Sequence, residues 1–181
     1  MHLWLVLCQS HKKLIYYTDV VRAIGPAILF LCLLFAGCHS GVQPRWIGSP
    51  APDFTVQDSE HTVSLHQLKG KPIILNFWAS YCVPCIKEMP SLTQLQQEMG
   101  SRITVFAVSV DETEPPYRKF LRDHNIHLLT VWDSQKKSSE LYGTVMYPET
   151  YIIDSSGMVR RKIVGEEDFL SREFIEYLNK L

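Results

Sequence analysis

The sequence predicts an α/β fold, a mixed central sheet flanked by helices. Three observations predict it. Ile73–Trp78 and Ile103–Val110 are short, apolar and rich in β-branched residues, as buried strands are. Stretches with helical spacing of apolar residues separate the strand-like runs. Thr150–Ile153 and Val159–Val164 flank Asp154-Ser155-Ser156-Gly157 and read as an antiparallel hairpin. Strands alternating with helices and ending in such a hairpin argue a layered sandwich.

The elements follow in order. Phe54–Gln57 and Thr62–Leu65 alternate around Asp58-Ser59-Glu60-His61 and predict an N-terminal β-hairpin. Lys69-Gly70-Lys71-Pro72 breaks the chain before the buried run at Ile73. A helix from about Pro84 to Met99 places Leu92, Leu95 and Met99 on one face. Pro84 in its first turn loses no bond, whereas Pro90 cannot donate to the Ile86 carbonyl and predicts a kink. Pro115-Pro116 open another helix, with Tyr117, Phe120, Leu121 and His124 at helical spacing. Leu128–Trp132 reads as a strand, Lys136–Tyr142 as a short helix stopped by Gly143. Asp168–Leu181 reads as a closing helix with Leu170, Phe174 and Leu178 inward.

Residues 1–38 read as an export segment. Ala23–Phe35 is apolar, follows Arg22, and at about 13 residues matches a signal-peptide core rather than the ~20 residues of a membrane span. Phe35-Ala36-Gly37-Cys38 resembles a lipoprotein cleavage box, which makes Cys38 the expected lipidated N-terminus; a conventional or uncleaved signal and a buried helix are the alternatives. Residues 2–19 would make the positive region unusually long, so translation is expected to begin near Val20 or Val21. Residues 39–50, rich in Gly, Pro and Ser, read as a tether, and 51–181 as one domain. Eighteen basic against nineteen acidic residues give no electrostatic reason to expect nucleic acid. Of five cysteines, Cys8, Cys32 and Cys38 fall in or before the export segment, leaving Cys82 and Cys85 in the domain. A single pair in an exported domain suits a working disulfide better than a structural framework.

That pair carries the chemistry. Cys82-Val83-Pro84-Cys85 sits between the buried run and the amphipathic stretch, at a helix start. The unpaired N–H groups and partial positive charge of a helix N-terminus favour thiolate over thiol. Two cysteines three apart can close a short, reducible ring and carry two electrons. A zinc ligand pair is the competing reading, but tetrahedral zinc needs four ligands and no second Cys pair is present. His124 and His127 are a conceivable complement, yet His124 fits the helical face above. Glu88, three residues after Cys85, lies on the same face, where spacing alone allows either a proton carrier for the cysteines or a solvated first-turn glutamate.

Asn76-Phe77-Trp78-Ala79-Ser80-Tyr81-Cys82-Val83-Pro84-Cys85, with Glu88 and Pro90, resembles the thioredoxin-like TlpA/ResA/DsbE family of extracytoplasmic thiol-disulfide oxidoreductases. Ala51-Pro52-Asp53-Phe54, Tyr142-Gly143, Pro148-Glu149-Thr150 and Ile152-Ile153-Asp154 extend the resemblance across roughly residues 50–180. Tyr81 departs from it, standing where the family usually has Trp. The resemblance implies a thioredoxin-like fold carrying the N-terminal hairpin and a central insertion. It implies Cys82 as nucleophile, Cys85 as resolving thiol, Glu88 as proton carrier, and a cis Pro148 facing the cysteines. Asn76 stands where thioredoxin has a buried acid, which makes Glu88 the candidate replacement. Trp78, Tyr81, Tyr147 and Glu149 are expected to contact the partner, Tyr147 through its main chain; whether Glu149 is a second acid near the disulfide or a rim charge stays open.

The implied partners are protein thiols and disulfides, among them apocytochrome c, and a membrane thiol-disulfide electron donor; no cofactor or metal is implied. Two alternatives share the fold. A copper-binding chaperone would carry three residues between its cysteines and a distant His, whereas this chain has two. A thiol peroxidase shares the Ala51–Phe54 opening but places its cysteine in a Pro-x-x-x-Thr-x-x-Cys context absent here.

Overall fold

The structure, a computed structural model, describes residues 46–181. The export segment, Cys38 and most of the tether lie outside the described residues. A two-stranded antiparallel hairpin, β1 (Thr55–Gln57) and β2 (Thr62–Ser64), precedes a five-stranded mixed sheet. That sheet comprises β3 (Ile73–Trp78), β4 (Thr104–Ser109), β5 (Leu129–Trp132), β6 (Glu149–Ile153) and β7 (Val159–Val164), in the order β5-β4-β3-β6-β7. β3 pairs parallel with β4, and β4 with β5; β6 runs antiparallel to both β3 and β7. Parallel neighbours need long crossovers, which α1 (Val83–Met99) and α2 (Glu114–Asp123) supply. α3 (Lys137–Tyr142) joins β5 to β6, and α4 (Arg172–Leu178) closes the chain. β5 forms one sheet edge.

Period-two alternation along β3 splits the core. Ile73, Leu75 and Phe77 face the side covered by the N-terminal hairpin and Tyr142 at the end of α3. Ile74 faces Leu92, Leu95 and Met99 of α1 and Phe174 and Leu178 of α4. Trp78 continues that second face, where it meets Cys85, Met89, Tyr117 and Phe120. Each fully buried side chain of this size contributes roughly 1.5–3 kcal/mol. The central position of β3 therefore fixes the strand end from which the Cys-x-x-Cys turn leaves.

One local expectation changes. The closing helix starts at Arg172, not Asp168, because Asp168 and Ser171 fold the chain into a turn first. The Ser171 N–H donates to the Asp168 carbonyl, and Ser171 Oγ then caps the helix by accepting from the Phe174 N–H. Phe169 rather than Leu170 is the fully buried residue of that turn. α1 continues as one helix through Pro90, whose ring is on the exposed side. Among the described residues no helix is long and apolar enough to cross a membrane.

Candidate active site

β3 delivers the chain to the site and α1 receives it. Beyond Trp78 the chain turns, the Cys82 N–H donating to the Ala79 carbonyl at 3.1 Å. Cys82 is the N-cap of α1, and its Sγ accepts the Cys85 N–H at 3.3 Å. That N–H is one of the four that a helix start leaves unpaired, so the cap places a donor against the first sulfur. Pro84, within the first turn, lacks an N–H that the helix would not have used. Cys82 and Cys85 are joined, S–S 2.14 Å with Cα atoms 5.2 Å apart. Cys82 is half-buried and Cys85 fully buried, so a partner reaches the first sulfur and not the second.

The Tyr147–Pro148 peptide bond is cis, as the resemblance implies. Tyr147 packs against the cluster containing both cysteines and Trp78. The Pro148 carbonyl accepts the Gly165 N–H at 2.8 Å, fixing the loop to the end of β7. Tyr81 before α1, Val83 in its first turn, and Val145 and Met146 before the cis proline are exposed apolar side chains.

Glu88 is not a solvated first-turn residue: it is 1% exposed. Asn76 Nδ2 donates to its Oε1 at 2.8 Å and to Thr150 Oγ1 at 2.9 Å, and the Glu167 N–H donates to its Oε2 at 3.3 Å. Burial pushes the carboxyl up to about 7, against the pull of Asn76 and the Glu167 N–H; Glu166 and Glu167 add to the rise. Asn76 is thus the strand contact of the acid carried on α1. Glu88 comes one turn after Cys85, and it titrates where a proton carrier for thiols near neutral pH must.

Two expected partner contacts are buried instead. Trp78 is fully enclosed and packs on Phe120 at 5.0 Å and Tyr117 at 6.1 Å, because even positions of β3 face the helices. Glu149 is 1% exposed and follows the alternation of β6 to the opposite face from Asn76 and Thr150. Its Oε1 accepts from Thr144 Oγ1 at 2.7 Å and Tyr151 OH at 2.5 Å, and Lys162 Nζ lies 3.0 Å from Oε2. Glu149 is therefore neither an acid beside the disulfide nor a rim charge; it ties the base of the cis-proline loop to β7. Residue spacing missed Thr150 on β6, the Glu167 main chain after β7 and the Asp111 carboxylate after β4, which are far from the cysteines in the chain. Among the described residues no three His, Cys, Asp or Glu side chains gather as a metal-holding group.

The family model described as AhpC/TSA matches residues 47–162. The chain is 33% identical over 176 residues to the thiol-disulfide oxidoreductase ResA of Bacillus cereus (strain ZK / E33L), covering 96% of this chain and 99% of that protein. It is 34% identical over 152 residues to the thiol:disulfide interchange protein DsbE of Pseudomonas aeruginosa, covering 80% and 83%. The crystal structure of the exposed lipoprotein thioredoxin of Streptococcus pneumoniae superposes with a TM-score of 0.62 at 26% identity, over 72% of this chain and 100% of that one. A thioredoxin-like sheet that ends in a capped cysteine pair, together with these likenesses over nearly the whole chain, places the protein in the AhpC/TSA family as a thiol-disulfide oxidoreductase of the ResA and DsbE type.

Proposed function

We propose that Cys82 and Cys85 are the exchanging pair and that the protein is a lipid-anchored extracytoplasmic reductant of apocytochrome c before haem attachment. The single observation that carries the reading is the joined pair at the N-cap of α1, with one sulfur accessible and the other enclosed. In the reduced protein the Cys82 thiolate attacks a partner disulfide. A bond forms between Cys82 Sγ and one partner sulfur, and the other partner sulfur leaves as thiolate and takes a proton. Cys85 then gives its proton to Glu88 and attacks Cys82 Sγ. The ring closes, and the second partner sulfur departs as a thiolate that takes the proton from Glu88. Two electrons pass to the partner, and a membrane thiol-disulfide donor restores the dithiol. Tyr81 and the Tyr147 main chain are the partner contacts, with Pro148 offering no N–H to compete.

Residues 1–38 serve as the export segment and Cys38 as the lipidated residue, with 39–50 as tether and 51–181 as the domain. The cleavage-box resemblance and the likeness to a lipoprotein thioredoxin support this. The test is trapping. Expressed as the full chain in its native compartment, Cys85→Ser stalls at the mixed disulfide, and the species linked to Cys82 is identified by mass spectrometry. Apocytochrome c is expected; a broad set of exported proteins would reduce the role to general exchange, and no trapped protein would refute it. A thiol peroxidase is the second reading, favoured by the AhpC/TSA match. Peroxide consumption by the same Cys85→Ser variant would support it.

A further inference from the structure

Asp111 lies two residues beyond the end of β4 and is 1% exposed, yet the chemistry above does not use it. Its carboxylate is committed to one neighbour in particular. Oδ1 accepts from Ser80 Oγ at 2.6 Å and lies 3.2 Å from the Ser80 nitrogen, and Oδ2 is 3.1 Å from that nitrogen. Oδ2 also accepts from Ser109 Oγ at 2.7 Å. The Asp111 main chain is held in turn, its carbonyl accepting Trp132 Nε1 at 2.7 Å from β5. Ser80 immediately precedes Tyr81 and Cys82. The turn that presents the nucleophile is thus gripped by a carboxylate 31 positions away in the chain, anchored on two neighbouring strands.

Ser80, Tyr81, Asp111, Glu112, Thr113 and Pro116 line a cleft of about 480 Å³. Tyr81, 61% exposed, forms a wall of it. Tyr81 immediately precedes Cys82, so this cleft borders the turn that carries the nucleophile. Disulfide exchange needs the attacking, central and leaving sulfurs nearly in line, so it depends on the direction of approach. A small alkylating agent has no such demand.

We propose that Asp111 is a positioning residue that locks the Ser80–Tyr81 turn and so sets the direction in which Cys82 meets a partner disulfide. The proposal rests on the reading of Cys82 as nucleophile. Removing the carboxylate frees the Ser80 N–H and hydroxyl and lets the turn drift. Misplacement of a reacting group by about 1 Å can cost about a hundredfold in rate. Asn at the position keeps an oxygen for Ser80, while the Ser109 hydroxyl reverses to accept from the amide.

The test compares two reactions of the reduced full-length chain. One is iodoacetamide alkylation of Cys82 across pH 5–9, read at that residue by mass spectrometry; the other is exchange with the disulfides of insulin. For Asp111→Ala, exchange is expected to fall about tenfold to a hundredfold, with alkylation rate and pH midpoint within about twofold of wild type. Asp111→Asn should restore exchange to within about threefold. Ser80→Ala, which loses only the hydroxyl, should lose about threefold in exchange alone, and it stands in if Asp111→Ala does not fold. Wild-type exchange rates in these variants, or alkylation falling in parallel with exchange, would overturn the proposal. A wild-type chain that alkylates at Cys82 but exchanges with no disulfide would instead remove the reading of Cys82 on which it rests.

Discussion

Replacing Glu88 by Gln tests the buried acid through stability as well as rate. An ordinary glutamate titrates near 4.5, whereas burial pushes Glu88 to about 7. Between those values the folded protein keeps a proton that the unfolded chain releases. The stability contributed by the neutral carboxyl is therefore complete below about 4.5, falls as pH rises through the window, and levels off above about 7. At 1.36 kcal/mol per pH unit the loss is about 3 kcal/mol. Glu88→Gln has no such titration. Its carbonyl still accepts from Asn76, and its amide opposes the Glu167 N–H by an amount that does not vary with pH. Urea unfolding of both oxidised proteins from pH 4.5 to 8 should show the variant gaining about 3 kcal/mol on the wild type across that range. Other carboxyls titrate equally in both and cancel. A difference that stays constant to within about 0.5 kcal/mol would refute the argument, because the carboxyl would then titrate like an exposed one. The variant should also lose the pH dependence near 7 of mixed-disulfide resolution.

Three further outcomes follow from the packing. Asp58 accepts the N–H groups of Glu60, His61 and Trp132 and lies 2.9 Å from Arg118 Nη2. These bonds hold its carboxyl below the usual range despite the desolvation that raises it. Asp58→Ala should cost about 2–4 kcal/mol in urea unfolding, and the wild type should lose this contribution as pH falls below about 3.8. Glu149→Ala strands Lys162, which is 14% exposed and can reach solvent only in part; a loss of about 2–4 kcal/mol is expected, with Glu149→Gln milder because it keeps an acceptor for the two hydroxyls. Gly157, at φ +89° in the β6–β7 turn, should lose about 1–2 kcal/mol on substitution by Ala, its Cβ also meeting the Lys69 Cε at 2.8 Å. A melting temperature within about a degree of wild type would contradict any of the three.

Strands and helices were legible because each carries its period within a few residues. Ile73–Trp78 needs no distant partner to read as buried, and Cys82-Val83-Pro84-Cys85 announces its chemistry by spacing. The closing helix was started four residues too early because the apolar spacing continues back through Leu170, while the Asp168–Ser171 turn is decided by local hydrogen bonds that periodicity does not register. Trp78 and Glu149 were expected as contacts because the family resemblance places them in the motifs around the cysteines and Pro148. Neighbours along a strand point to opposite faces, so adjacency in sequence is a poor guide to adjacency at a site.

By itself the sequence determined the elements, the cysteine pair at a helix start, and the acid one turn beyond it. These depend on interactions between residues a turn or less apart, which the chain encodes directly. Only the tertiary structure decided that Asn76 bridges Glu88 and Thr150, that Glu149 belongs to the opposite face, and that Asp111 grips the turn before Cys82. Each of these follows from which strands pair and in what register, and register is set by the whole buried face rather than by any residue in it.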